Sequence, residues 1–248
     1  MFTSNLDPVF FSIGSFEIRY YSLVYLLAFI LAFFVVNHFR KKGMLEITKD
    51  QTYDLIFYIL VGVIVGARFF HVFIFNPDYY VTNPSEILAI WHGGVSYHGG
   101  LLGALLAAWL FSKKHKVSLA KIADIVVLPT VLMLAFGRIA NFMNAELLGK
   151  VTTSSWCVNF SGHEGCRHPT QLYAAAYRFL IFGYLLFIKN KKPGFLFWNY
   201  ILLEGVGRFI VDFYREDTTL AALTGGQWLS IAMIGIAIYI LIKKYKKA

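Results

Sequence analysis

Residues 122–142 read IADIVVLPTVLMLAFGRIANF. Between Asp124 and Arg138 no side chain carries a charge, and Pro129 and Thr130 sit among Val, Leu, Ile and Met. A helix rises about 1.5 Å per residue and a bilayer core is about 30 Å thick, so about 20 apolar residues cross it. A helix apolar all round is not a surface helix of a soluble domain. The stretch reads as a membrane span. Arg138, near its end, sits where an ionisable group is expensive and is usually paired or functional.

Six more stretches of this kind flank it, at approximately residues 21–39, 53–75, 95–111, 172–188, 195–213 and 228–242. The whole composition agrees: 248 residues, 58% hydrophobic, 15% charged, mean hydropathy +0.60. A soluble domain carries roughly a quarter charged residues, which excludes disorder, a fibrous repeat and an ordinary soluble fold. The expected fold is all-α: one integral membrane domain, residues 1–248, with seven transmembrane helices and a small outer-face loop region at about 143–171. The first stretch is too long and too rich in Phe for a typical signal peptide, and residues 1–20 ahead of it lack a basic start, so it reads as a retained span.

The net charge is +9, from 23 Lys and Arg against 14 Asp and Glu. In a soluble protein that excess would point to nucleic acid. Here its distribution follows the membrane instead. Arg40, Lys41, Lys42 and Lys49 follow the first span, and Lys113, Lys114, Lys116 and Lys121 follow the third. Lys189, Lys191 and Lys192 follow the fifth, and Lys243, Lys244, Lys246 and Lys247 the seventh. By the positive-inside rule these are cytoplasmic ends, which places the N-terminus outside and the C-terminus in the cytoplasm. Contact with anionic membrane lipids is a secondary effect of the same lysines, and no nucleic acid partner is required. The remaining cations are Lys150 and seven arginines: Arg19, Arg68, Arg138, Arg167, Arg178, Arg208 and Arg215. Arginine is the side chain suited to bidentate phosphate or carboxylate binding, so the outer half has a different chemistry.

Four segments hold the candidate chemistry. In Gly137–Gly149, GRIANFMNAELLG, Arg138, Asn141 and Asn144 are three apart, so one helix face offers a guanidinium and two carboxamides, enough to hold a phosphate and its glycerol hydroxyls. The same groups could instead cap the span, with Glu146 past its end and in reach of Arg138. In Trp91–Leu101, WHGGVSYHGGL, paired glycines let His98 sit at a helix start facing a ligand, where an imidazole can move a proton; the glycines could equally serve packing alone. Glu204, Arg208, Asp212 and Arg215 recur at helical spacing, either as an ion-pair ladder or as the wall of an anion site. Arg167–Tyr173, RHPTQLY, reads as a helix entry whose His168 could join the chemistry. Cys157 and Cys166 have no His or Cys partners at metal-ligand spacing, leaving a disulfide across the outer loop or free thiols. No GxSxG, Walker loop or HExxH run is present.

Together these runs resemble the prolipoprotein diacylglyceryl transferase family of bacterial plasma membranes over nearly the whole chain. The most specific match is Gly137–Gly149, which looks like the family signature around its arginine and asparagine. Tyr21 in RYYSL, Arg68 in GAR, His98 in HGGL and Asp124 match further family positions. So do Arg167–Tyr173, Arg208–Arg215 and GQWLS at 226–230, in the expected order. Ala140 and Ser22 stand where the family usually has glycine, and Glu204 where it has tyrosine four residues before Arg208. Glu204 is the departure to watch, since it could weaken an anion site at Arg208.

The resemblance implies a multi-pass transferase of the bacterial inner membrane with its active site toward the outer face. It would move the diacylglyceryl group of phosphatidylglycerol to the lipobox cysteine of a preprolipoprotein signal peptide, forming a thioether and releasing glycerol 1-phosphate. It implies His98, Arg138 and Arg208 as catalytic residues, and Tyr21, Arg68, Gly99, Asn141, Asn144, Glu146 and Gly149 as substrate-binding. No cofactor and no metal is implied, because the lipid is itself the activated donor. Elementary chemistry agrees. A thiol with pKa of roughly 8.5 is mostly protonated at neutral pH and gains from a base, and a guanidinium aimed at the departing phosphate stabilises charge that develops in the transition state. The rival is a seven-span anion or lipid transporter using the buried arginines, but no repeat relates the two halves of the chain.

Overall fold

The computed structural model describes residues 2–4, 9–13, 16–188 and 192–245. Its long helices fall where the apolar stretches do: α1 Tyr20–Lys41 and α2 Lys49–Phe70, then, after a six-residue α3 at Pro77–Thr82, α4 Tyr97–His115 and α5 Leu119–Met143, followed by α6 Thr170–Phe187, α7 Phe195–Asp212 and α8 Gly225–Tyr245. Among the described residues, four segments are long and apolar enough to cross a membrane: Ser22–Lys41, Lys49–Phe75, Leu119–Met143 and Gly225–Tyr245. Large apolar side chains such as Leu26, Phe34, Phe57, Leu106, Leu180 and Ile236 are exposed on the helix surfaces. In water such a surface would aggregate; against lipid tails it is matched.

The expectation of helices alone misses seven short strands among the described residues. They are β1 Phe2–Ser4, β2 Val9–Ile13, β3 Phe16–Arg19, β4 Val158–Phe160, β5 Cys166–Arg167, β6 Thr219–Leu220 and β7 Leu223–Thr224. β2 and β3 form an antiparallel hairpin, and β6 and β7 another. β4 lies between β1, to which it is parallel, and β5, to which it is antiparallel. Runs of two to five residues lack the length for a periodic signal, which is why the sequence does not announce them.

By internal contacts the chain forms two units, divided within α1 and α5: one holds residues 1–31 and 123–248, the other residues 32–122. In the smaller unit α2 packs on α4 through glycines. A Cβ added at Gly103 would strike the carbonyl oxygen of Gly62, and one at Gly66 would strike that of Gly99. Gly62 and Gly66 on α2 therefore meet Gly99 and Gly103 on α4 backbone to backbone, the close approach small residues permit where no hydrophobic effect drives helices together. Polar contacts fasten the lysine-rich end: Gln51 Nε2 lies 3.0 Å from His115 Nδ1, Lys114 donates to the Tyr58 hydroxyl at 3.0 Å, and Lys121 pairs with Glu46 at 3.1 Å. Thr48 and Gln51 form a capping box at the start of α2.

In the larger unit α7 packs against both α6 and α8. Asp124 on α5 caps α7, its carboxylate accepting from the backbone N–H of Gly194 at 2.6 Å and of Phe197 at 2.8 Å. A carboxylate at a helix N-terminus satisfies orphan donors and complements the helix dipole. Phe142 at the end of α5 packs on Val158 and Phe160 of β4, and Cys157 is bonded to Cys166. The loop between α5 and α6 is thus a small folded element; of the alternatives for the two cysteines, the disulfide is the one formed.

Candidate active site

Site construction begins at the C-terminal end of α5. Asn141 Nδ2 donates to Glu146 Oε2 at 2.8 Å and Asn144 Nδ2 to Glu146 Oε1 at 3.2 Å. The two carboxamides on the Arg138 stripe therefore hold the Glu146 carboxylate. The turn that presents Glu146 is strained on both sides, since Ala145 and Leu147 hold φ of +53° and +56° without being glycine. Such conformations cost about 1–3 kcal/mol each and persist where neighbours over-determine them. The neighbours here are the first residues of α6: Gln171 Nε2 donates to the Glu146 carbonyl, and Thr170 Oγ1 to the Leu147 carbonyl at 3.1 Å.

Past this turn the chain runs between two others. Lys150 N donates to Tyr214 O at 2.8 Å, and His168 N donates to Lys150 O at 3.1 Å. Gly149 bridges to Arg215 and lies against the His168 carbonyl, where a Cβ would collide. Arg167 donates to the Gly149 carbonyl at 3.1 Å and ion-pairs with Glu216. Gly149 thus serves as a crossing point of backbones.

Three arginines line one recess, Arg138 from α5, Arg208 from α7 and Arg215 just past it; Thr170, Gln171 and Tyr177 complete its polar lining. Arg208 Nε pairs with Asp212 Oδ1 at 2.9 Å, and the buried Asp212 also accepts from Thr224 Oγ1 at 3.1 Å. Gly226, near the start of α8, leaves room for this pair, because a Cβ there would strike both Asp212 and Arg208. Arg215 pairs with Asp217 at 3.2 Å. Burial, and after it the neighbouring Arg208 charge, lower the Arg215 guanidinium below its ordinary pKa, while Asp217 and Asp212 oppose the shift. Arg138 has no hydrogen-bond acceptor and no ion-pair partner among the described residues. Its positive charge is the one most available to an anion.

Of the expected ladder along α7, the Arg208–Asp212 rung forms and Arg215 lies 3.8 Å from the same carboxylate, while the Glu204–Arg208 rung gives way to a cross-helix pair. Glu204 ion-pairs with Arg178 on α6 and accepts from the Tyr177 hydroxyl at 2.9 Å, whereas Arg208 takes Asp212. Sequence reasoning missed Tyr177, Gln171 and Thr170 as neighbours of the arginines. The signal for the last two was the RHPTQLY block, where attention fell on His168.

The smaller unit holds His98, Arg68 and Gly99. His98 is the second residue of α4 and is exposed; the helix starts at the Ser96 cap, whose side chain accepts from Gly99 N at 3.2 Å. Arg68 is buried, with its guanidinium enclosed by five backbone carbonyls: Nε donates to Ile87, Nη1 to Gly93 and Gly94, and Nη2 to Glu86 and Ala89. All five of its N–H groups are thereby used. Gly99 lies against Gly66 and Phe70 with no room for a side chain. Tyr21 stands in the first turn of α1, and its side chain lies outside the described residues. Among the described residues no three His, Cys, Asp or Glu side chains gather as a metal site would require.

Residues 8–243 match the family model for prolipoprotein diacylglyceryl transferase. The phosphatidylglycerol–prolipoprotein diacylglyceryl transferase of Geobacter sulfurreducens is 38% identical over 257 residues, covering 98% of this chain and 97% of that protein. The like-named proteins of Rickettsia bellii and Rickettsia typhi are each 36% identical, the first across 96% of this chain and 95% of its own length, the second across 100% of both.

Proposed function

This chain belongs to the prolipoprotein diacylglyceryl transferase family, and on that premise we propose that it transfers the diacylglyceryl group of phosphatidylglycerol to a cysteine thiol of a prolipoprotein. The sulfur attacks the glyceryl carbon bonded to the phosphate ester oxygen. A C–S bond forms, the C–O bond breaks, the electron pair leaves with glycerol 1-phosphate, and the thiol proton goes to a base. The observation that carries the reading is the recess lined by Arg138, Arg208 and Arg215, a cationic cradle for a phosphate that gains charge as it departs. The anion-transport alternative has no comparable support.

The roles follow the chemistry of each group. Arg138 and Arg208 hold the phosphate; Asn141 and Asn144 keep the Glu146 carboxylate in place, and Gly149 lets the adjoining backbones meet. His98 is the proposed acceptor of the thiol proton, a role open to an imidazole nitrogen. Tyr21 is a proposed head-group contact. Gly99 supports the α4 start through packing, and Arg68, whose donors are all taken by carbonyls, holds the segment 86–94 ahead of His98. The acceptor cysteine is that of a lipobox in a signal peptide. All seven long helices span the plasma membrane of a bacterium as one domain, residues 1–248, with the lysine-rich ends in the cytoplasm and the outer loop of 143–171 at the active face, in contact with membrane lipids.

The test is incubation of the purified protein with phosphatidylglycerol vesicles and a lipobox peptide, followed by mass spectrometry. A diacylglyceryl mass gain that disappears when the peptide cysteine becomes serine is the expected result. No adduct with a peptide that an active relative modifies would overturn the reading.

A further inference from the structure

Gln171, which lines the arginine recess, carries a polar atom that its own fold does not use. Gln171, in the first turn of α6, is 1% exposed. Its Nε2 is tied to the Glu146 carbonyl, which fixes which end of the carboxamide is nitrogen. Its Oε1 is buried without a hydrogen-bond partner. A buried acceptor left unpaired is costly, about 1–3 kcal/mol, and a native structure that keeps one calls for an explanation.

The neighbouring neutral groups are alike in what they offer. Thr170 gives its hydroxyl proton to Leu147 O, and Tyr177 gives its own to Glu204. Both residues line the recess, and with its proton committed each hydroxyl has only lone pairs left to offer. The wall therefore combines three cationic donors with three neutral acceptors. A bare phosphate brings only acceptors and would leave Gln171 unpaired. A cationic head group would meet the guanidinium charges. An anion bearing its own hydroxyl donors satisfies both sets.

Resting on the transferase reading above, we propose that Gln171 accepts a hydrogen bond from a hydroxyl of the donor's head group, and so selects a polyol phosphate over phosphates that lack hydroxyls. Gln171 is then a specificity-determining residue beside the phosphate-binding arginines.

The experiment compares two donors of equal charge, phosphatidylglycerol and phosphatidyl-n-propanol, with the full chain and a lipobox peptide. The wild type should favour phosphatidylglycerol in kcat/KM by roughly 10- to 100-fold, the range expected when one buried acceptor loses its donor. In Gln171→Met, which keeps an unbranched side chain of similar length, both rates should fall because the Glu146 carbonyl also loses its donor, but the rate with phosphatidylglycerol should fall further, bringing the ratio near one. A ratio unchanged in Gln171→Met overturns the proposal. A second measurement needs neither the variant nor turnover: glycerol 1-phosphate should protect the wild type against thermal unfolding at roughly tenfold lower concentration than n-propyl phosphate. Equal protection overturns the proposal even if the variant does not fold. If the wild type transfers from neither donor, the transferase reading fails, and the protection arm still decides the head-group preference.

Discussion

Arg178 on α6 and Glu204 on α7 form a buried ion pair, and the Tyr177 hydroxyl donates to the same carboxylate oxygen at 2.9 Å. Glu204 is thereby turned away from Arg208, although the two are four residues apart on one helix. The glutamate at position 204 does not pair with Arg208. It supplies the counter-charge for a second arginine. Arg208 has its own carboxylate, Asp212, at 2.9 Å.

Removing one member of that pair should be worse than removing both. Glu204→Gln leaves Arg178 buried and uncompensated, a loss of about 3–5 kcal/mol, whereas a well-packed apolar replacement of both partners is often close to neutral. Thermal unfolding in detergent should place Glu204→Gln well below Arg178→Met/Glu204→Leu. The reverse order would mean that Glu204 does not serve Arg178.

Arg138→Ala should lower transfer about 100- to 1,000-fold while the protein still inserts, because an oriented donor is lost from the departing phosphate. Arg138→Lys should restore only part of the rate, since an ammonium supplies charge without the planar fork. Mass spectrometry of the peptide product in membranes matched for protein content reads both. Full activity in Arg138→Ala membranes would remove Arg138 from the site.

The glycines of α2 and α4 separate into two classes. A Cβ at Gly103 would strike the Gly62 carbonyl, but one at Gly100 would meet Val63 and Ala67 at 3.5 and 3.6 Å, an ordinary contact. Gly103→Ala should lower the unfolding midpoint by several degrees, and Gly100→Ala should leave it nearly unchanged or raise it, as alanine is the better helix former by about 1 kcal/mol. Equal effects of the two would contradict the backbone-to-backbone packing.

Arg68→Lys cannot satisfy five carbonyls with three N–H donors. Amide hydrogen exchange across residues 86–94 should accelerate roughly tenfold or more in the variant, with the lysine-rich end of α2 and α4 unaffected. Unchanged protection in 86–94 would show that the segment holds itself.

Reduction of the Cys157–Cys166 bond should loosen the outer loop selectively. It closes a short loop, with a sequence separation of 9, so the chain-entropy contribution is about 2–3 kcal/mol. Limited proteolysis within residues 149–167 should speed up in Cys157→Ser/Cys166→Ser, with the helices intact. Cleavage at the wild-type rate would assign the loop's order to β1, β4 and β5 alone.

Much of the fold was legible because membrane helices obey a local rule. A run of about 20 apolar residues must bury its backbone hydrogen bonds within itself, whatever surrounds it. Residues 122–142 and the six comparable stretches therefore mark α1, α2 and α4–α8 to within a few residues. Arginines at membrane depth stand out for the same reason: Arg138 and Arg208 are conspicuous in any such sequence, and both reach the recess. The disulfide, the short strands and the acceptor role of Gln171 left no comparable trace, since two-residue strands and a single carboxamide have no period to detect.

By itself, then, the sequence determined the helices, the membrane as their solvent, the family and the arginines that line the recess. Only the tertiary structure decided which partner each charge takes. Glu204 and Asp212 lie at the same spacing on either side of Arg208, so local geometry allows both pairs. The packing of α6 on α7 brings Arg178 to Glu204, and the start of α8 brings Thr224 to Asp212. Arg68 has no acidic neighbour along its own helix face to compete for it; the chain from 86 to 94 folds back and closes five carbonyls on its guanidinium. Pairing of this kind depends on how helices are rotated against one another and where loops return, and neither quantity is carried by residue spacing.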